Sequence, residues 1–198
     1  MASQLDIANW GLMLLGEKRV SSLSDDNANA ENITAGWEML RDSAIRRSAF
    51  HCHIQRTSVA ADATAPAWGY DAAYTMAGDV VRVLSVGEVY PYPDMADFRG
   101  TDLAPWRIEG RKILTNYGTP LSVKWLVNSV AIGAWDISFA KMLAADIAEY
   151  LQPRMGEAIA QRVREWRMQA WAEALMTNAV EDPSEALADD TWLAAHAM

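Results

Sequence analysis

The spacing of hydrophobic residues changes twice along this chain, and that change constrains its fold more than any other feature. Up to Ala49 the apolar positions recur every three or four residues: Leu5, Ala8, Leu12 and Leu15, then Ile33, Trp37, Leu40 and Ala44. That is the signature of helices with one buried face. From His51 to Val130 no long helical period survives, and Gly, Pro, Val, Tyr and Thr are frequent. There Leu121, Val123, Trp125 and Val127 alternate with Ser122, Lys124, Leu126 and Asn128. Period two predicts a strand with one face buried and the other more open. After Gly133 the helical period returns in Ala140, Leu143, Ala144, Ile147 and Leu151, and again in Ile159, Val163, Trp166 and Ala170. The expected fold is α+β: a helical bundle of about four helices with a small antiparallel β-sheet inserted between the second and third helices, and an extended C-terminal tail.

Local signals place the boundaries. Ser3 followed by Asp6 is a capping box, and Gly16 is a natural stop, so the first helix is expected over 4–16. Asp25 and Asp26 can cap the second helix, which runs to about Ala49. Val80–Val86 reads as a strand. Trp106–Glu109 and Lys112–Thr115 flank Gly110-Arg111 as a hairpin. Residues 90–101, with two prolines and a glycine, read as a long loop. Asp136 can cap the third helix, Pro153 and Gly156 end it, and a fourth runs over 157–179. The organisation is then 1–50 and 133–181 as bundle, 51–132 as inserted sheet domain, and 182–198 as acidic tail.

At 198 residues the chain has room for one domain. With 51% hydrophobic and 22% charged residues it has a globular composition. No apolar run approaches the ~18 residues of a membrane span. Trp10–Leu15 lacks the basic leader of a secretion signal. One cysteine, Cys52, leaves no internal disulfide framework or multi-thiolate zinc site. A net charge of −9 argues against a dedicated nucleic-acid-binding surface, though not against DNA passing by. The last eighteen residues hold five acids and no Lys or Arg. This stretch reads either as a solvated end or, because Trp192 and Leu193 follow Asp189 and Asp190, as a segment docking on a basic partner. Nine tryptophans and ten methionines are many for this length. Most of the tryptophans fall on predicted buried faces, and a surplus would suit a subunit interface.

No motif compels an enzyme. Walker A, G-x-G-x-x-G, H-E-x-x-H and G-x-S-x-G patterns are all missing. In His51-Cys52-His53 a strand would point both histidines the same way. Zinc, however, asks for three or four protein ligands, so a helix-to-strand junction is the expectation there. Cys52 beside a histidine could be a nucleophile; a lone cysteine on a buried face is more often an inert small hydrophobe. Arg46-Arg47 suit the negative end of the second helix's dipole, and could alternatively touch DNA or an acidic partner. Arg162, Arg164 and Arg167 among Glu157, Glu165 and Glu173 read as a solvated or salt-bridged face. No catalytic, metal or cofactor residue is assigned.

The order of elements resembles a known family. The pieces that carry the likeness are Asn9, Leu14, Leu15 and Gly16 followed by Val20-Ser21-Ser22-Leu23-Ser24-Asp25; Arg41-Asp42 in a helix ending at Phe50-His51; Pro66-Ala67-Trp68-Gly69-Tyr70-Asp71-Ala72-Ala73-Tyr74 leading to Asp79 and Val81–Val86; and Trp106–Asn116. Two late helices and a short tail with Trp192 complete it. In this order the chain resembles the head–tail adaptors of tailed bacteriophages, also called tail tubular protein A. It departs from them in having Met76-Ala77-Gly78 where a proline is usual, and Trp125 where the last strand usually ends near a tyrosine.

The resemblance implies a structural virion protein at the head–tail junction, held in the host cytoplasm before assembly. Its partners would be the portal protein, a downstream tail or stopper component, and further copies of itself in a ring, normally of twelve. DNA would pass through the lumen without sequence-specific contact. The acidic tail, with Trp192, Leu193, Asp189 and Asp190, is expected to dock on the portal. The long loop, with Tyr90, Tyr92, Asp94, Met95 and Phe98, is expected to face the tail or a neighbouring subunit. An acidic lumen would repel phosphate and let DNA slide. A neck or tail-completion protein of different symmetry, or a small enzyme with an unrecognised site, remains the alternative.

Overall fold

A computed structural model describes residues 2–87 and 105–182. Among the described residues the fold is α+β, with four α-helices, and the strands lie between the second and third. Helix α1 spans Gln4–Leu15 and α2 Ala28–Ser48. A 3-10 turn at His51–His53 leads into β1, Ile54–Val59. Then come β2 (Ala72–Thr75), β3 (Val80–Val86), β4 (Trp106–Glu109), β5 (Lys112–Thr115) and β6 (Leu121–Val127). Helices α3 (Ile137–Leu151) and α4 (Glu157–Glu181) close the described chain.

The helix ends follow from their side chains. Ser3 Oγ accepts Asp6 N–H at 3.1 Å while the Asp6 carboxylate accepts Ser3 N–H at 2.9 Å, so two orphan donors of α1 are satisfied reciprocally. Gly16 ends α1 in the left-handed region (φ 79°). Asp136 caps α3 by accepting Ser138 N–H at 2.6 Å. At α2 the expected caps are replaced. Asn27 is the cap, accepting the amides of Asn29 and Ala30. Asp25 instead turns back onto the amides of Ser21 and Ser22 and the Ser21 hydroxyl. Those hydrogen bonds hold its carboxyl below the usual range. Asn9 pins the same connection, its side-chain amide pairing both with the carbonyl and with the N–H of Val20.

The strands form two three-stranded antiparallel sheets, β1-β6-β3 and β2-β5-β4, rather than the single small sheet expected. Between them lies a core of Tyr74, Val80, Val83, Val86, Trp106, Ile113, Leu121, Val123, Trp125 and Val127. Register shifts in the β3–β6 pairing explain why Val80, Val83 and Val86, three apart, share one face. The more open second face expected on β6 holds only in part: Ser122 is exposed and Asn128 half-buried, but Lys124 and Leu126 are buried. This strand is central in its sheet, and Leu126 enters the helical core from the opposite side.

That helical core is built around α3, which is buried on almost every side. Phe139, Met142, Leu143 and Ile147 pack among Ile7 and Leu12 of α1, Ile33, Trp37 and Ile45 of α2, and Val163 of α4. Gly11 permits the close approach of α1, since a Cβ there would lie 2.9 Å from the Ala144 carbonyl oxygen.

Candidate assembly surfaces and the histidine junction

Helix α4 is the element whose sequence reading needs most correction. The expected face of Ile159, Val163, Trp166 and Ala170 holds in part: Val163 is buried and Ile159 and Ala170 are half-buried, but Trp166 is exposed, and the inward side is completed by Ala160, Ala174 and the half-buried Trp171. The cause is polar. Asp146, buried on α3, accepts from Arg167 Nε at 2.6 Å, Trp171 Nε1 at 2.8 Å and Arg47 Nη2 at 3.0 Å. The Arg47 guanidinium also stacks on the Trp171 ring, 4.2 Å from its centre. One carboxylate thus ties α2, α3 and α4 together and sets the rotation of α4. Arg167 therefore turns inward, while Arg164 makes a surface ion pair with Glu157 at 2.6 Å, as the sequence suggested.

With that rotation, the outward side of the C-terminal half of α4 carries Met168 (66% exposed), Leu175, Met176 (72%) and Val180 (81%), with Ala172 and Ala179 between them. Their spacing is itself helical, so the helix bears two apolar stripes, one buried and one facing solvent. Trp10 and Met13 on α1 and Met39 on α2 are exposed as well. Large apolar side chains gathered outward mark an interaction surface more than a monomer's exterior. The sequence reading missed this stripe, although Met168, Ala172, Leu175 and Ala179 lie four, three and four apart. The expectation that most tryptophans are core is also too strong. Trp37, Trp106, Trp125 and Trp135 are buried, while Trp10, Trp68 and Trp166 are exposed.

Arg46 and Arg82 join the bundle to the sheets. Arg46 Nη1 donates to the Val81 carbonyl at 2.8 Å, and Arg82 Nη1 donates to the Arg46 carbonyl at 3.1 Å, in the last turn of α2. Arg82 thereby satisfies an orphan acceptor of the helix end.

The His51–His53 segment is the expected junction, but it is a 3-10 turn, so the two imidazoles do not share a face. His53 is fully buried between Trp135 and Phe139, whose ring centres lie 5.4 and 4.6 Å away. Its Nδ1 is 3.0 Å from the Val127 carbonyl, which fixes Nδ1 as the donor of the neutral ring. Burial pushes its pKa down to about 4 against the lesser pull of that carbonyl. Cys52 is half-buried, and desolvation pushes its thiol up, away from the thiolate a nucleophile needs. His51 faces the other way. Its Nδ1 lies 3.0 Å from Asn178 Oδ1 and its Nε2 lies 3.4 Å from Glu181 Oε2. Asp136 joins them, so that His51, Asp136 and Glu181 each place a ligand-type atom within 4.8 Å of the others.

The loop residues Tyr90, Tyr92, Asp94, Met95 and Phe98 and the tail residues Asp189, Asp190, Trp192 and Leu193 lie outside the described residues. Among the described residues no helix is long and apolar enough to cross a membrane. Known protein families and curated proteins contain no match to this sequence.

Proposed function

We propose that this chain is a head–tail adaptor of a tailed bacteriophage, a structural subunit that closes into a ring beneath the portal and carries the DNA channel toward the tail. The observation that carries the reading is the second apolar stripe of α4, Met168, Leu175, Met176 and Val180, turned away from the bundle core. A closed ring repeats one heterologous contact, in which one patch of a subunit meets a different patch of the next. The α4 stripe supplies one such patch, and Trp10 and Met13 of α1 supply apolar groups on a different helix. The order helix, helix, strands, helix, helix supports the same reading. Burial raises the Cys52 thiol, which speaks only against one form of the enzymatic alternative, a Cys52 nucleophile. The tail from residue 182 onward is proposed to dock on the portal with Trp192 as anchor, the loop of 90–101 to face the tail or a neighbour, and the lumen to be acidic.

The test is co-expression with the portal protein of the same genome, purification of the complex, and symmetry analysis by electron microscopy. A twelve-fold collar on the portal is expected. Met168→Glu with Met176→Glu should abolish the collar while leaving the circular dichroism spectrum unchanged. A subunit that stays monomeric and does not bind the portal refutes the reading. A collar of another symmetry points to the neck or tail-completion alternative.

A further inference from the structure

His51, Asp136 and Glu181 come from three separate elements: the turn after α2, the cap of α3 and the last residue of α4. We infer that they form a zinc site, with His51 Nε2 and one oxygen from each carboxylate as ligands. The orientation of His51 supports this. Asn178 Oδ1 already accepts the backbone N–H of His51 at 2.7 Å, and an amide oxygen can only accept, so ring Nδ1 at 3.0 Å is its donor. In the neutral ring the lone pair then sits on Nε2, the nitrogen that faces Glu181, and a carboxylate oxygen of Asp136 lies within 4.8 Å of the ligand atoms of the other two. An oriented imidazole of this kind, held through its other nitrogen, is the outer-shell arrangement of metal-binding histidines. The spacing is also suitable. Zinc bonds of roughly 2.0–2.2 Å in a tetrahedron put neighbouring ligand atoms about 3.3 Å apart. His51 Nε2 and Glu181 Oε2 already stand at 3.4 Å. Glu181 is exposed and free to adjust, and Asp136 has two carboxylate oxygens, of which Oδ1 holds the α3 cap. Imidazole with carboxylates suits zinc better than the all-oxygen sites of magnesium or calcium. Three protein ligands leave the fourth position to water.

The site would staple the end of α4 to the start of the sheets, at the root of the segment that begins at residue 182. It does not depend on the ring proposal. Isothermal titration of the full-length chain with zinc chloride tests it, with thermal unfolding measured in parallel. One equivalent is expected to bind and to raise the unfolding temperature. His51→Gln or Glu181→Gln should weaken binding at least about tenfold, as should Asn178→Ala, which removes no ligand but releases both the ring and the backbone N–H of His51. Glu157→Gln, at the opposite end of α4, should leave binding unchanged. No zinc binding, or binding indifferent to His51→Gln in a variant that keeps the wild-type circular dichroism spectrum, overturns the inference. In that case His51 serves only as an ion-pair partner of Glu181.

Discussion

Replacing Asp146 by alanine tests the claim that a buried carboxylate fixes α4. The helix has 25 residues, of which only Ala160, Val163 and Ala174 are buried, with Ile159 and Trp171 half-buried against the core, so its apolar contact is small for its length. Asp146 itself is 5% exposed and accepts three hydrogen bonds. The three differ in value. The Arg47 side chain is 47% exposed and regains water, so its share is at most about 1 kcal/mol. The Arg167 side chain is 22% exposed, and a charged hydrogen bond in such a place contributes roughly 1.5–3 kcal/mol. Arg167 keeps Glu149 at 2.9 Å, which offsets part of that loss. The indole N–H of Trp171 adds about 1 kcal/mol, and truncation leaves a small cavity beside it. Asp146→Ala is therefore expected to cost about 3–5 kcal/mol, the range for breaking a buried ion pair by removing one partner. For a domain of this size that lowers Tm by roughly 6–20 °C. Urea unfolding followed by tryptophan fluorescence and circular dichroism reads the change. Arg47→Ala in parallel should cost no more than about 1 kcal/mol. A loss below about 1 kcal/mol for Asp146→Ala, or equal losses for both variants, would falsify the claim that this carboxylate sets the rotation of α4.

The remaining predictions concern pH and packing. His53 is neutral in the folded state down to about pH 4 but protonates in the unfolded chain below its ordinary 6.5. The unfolded state then binds the extra proton, so stability is full above pH 6.5 and falls by roughly 3 kcal/mol as pH drops to about 4. Urea midpoints across that window should show the slope, and His53→Leu should lose one proton's worth of it. Gly11→Ala puts a Cβ 2.9 Å from the Ala144 carbonyl and 3.1 Å from Ile147, and should destabilise by about 1–3 kcal/mol in thermal melts. Gly36→Ala meets the ring of Tyr150 at 2.8 Å, but that ring is exposed and can swing aside. With about 1 kcal/mol of helix propensity in its favour, Gly36→Ala should be near neutral in the same assay.

What the sequence disclosed, and what it hid, follows from the range of the forces involved. Ser3 with Asp6, Gly16, Asp136 and Gly110 act on neighbours a few residues away, and the elements they bound were legible. Strands β3, β4 and β5 carry their own period and turn signals, and fall where the pattern puts them. Asp25 misled because any acid before a helix resembles a cap. Only the loop's backbone decides that Asn27 reaches the free amides while Asp25 closes on Ser21 and Ser22. The rotation of α4, which turns Trp171 inward and Trp166 outward, was hidden for a different reason. Apolar residues surround that helix, so periodicity offers two faces and cannot choose between them. The choice is made by Asp146 on another helix, a lone acid inside the apolar run Met142–Ile147. Such an acid is itself a signal, because a charge in an otherwise buried stretch must find partners, and on α4 those are Arg167 and Trp171. The histidines repeat the lesson. His51 and His53 are adjacent but for one residue, yet the 3-10 turn sends one to a buried aromatic cage and the other to Asp136 and Glu181. Proximity in sequence suggested a pair that the fold separates, and the packing of α3 and α4 made a cluster that spacing could not reveal.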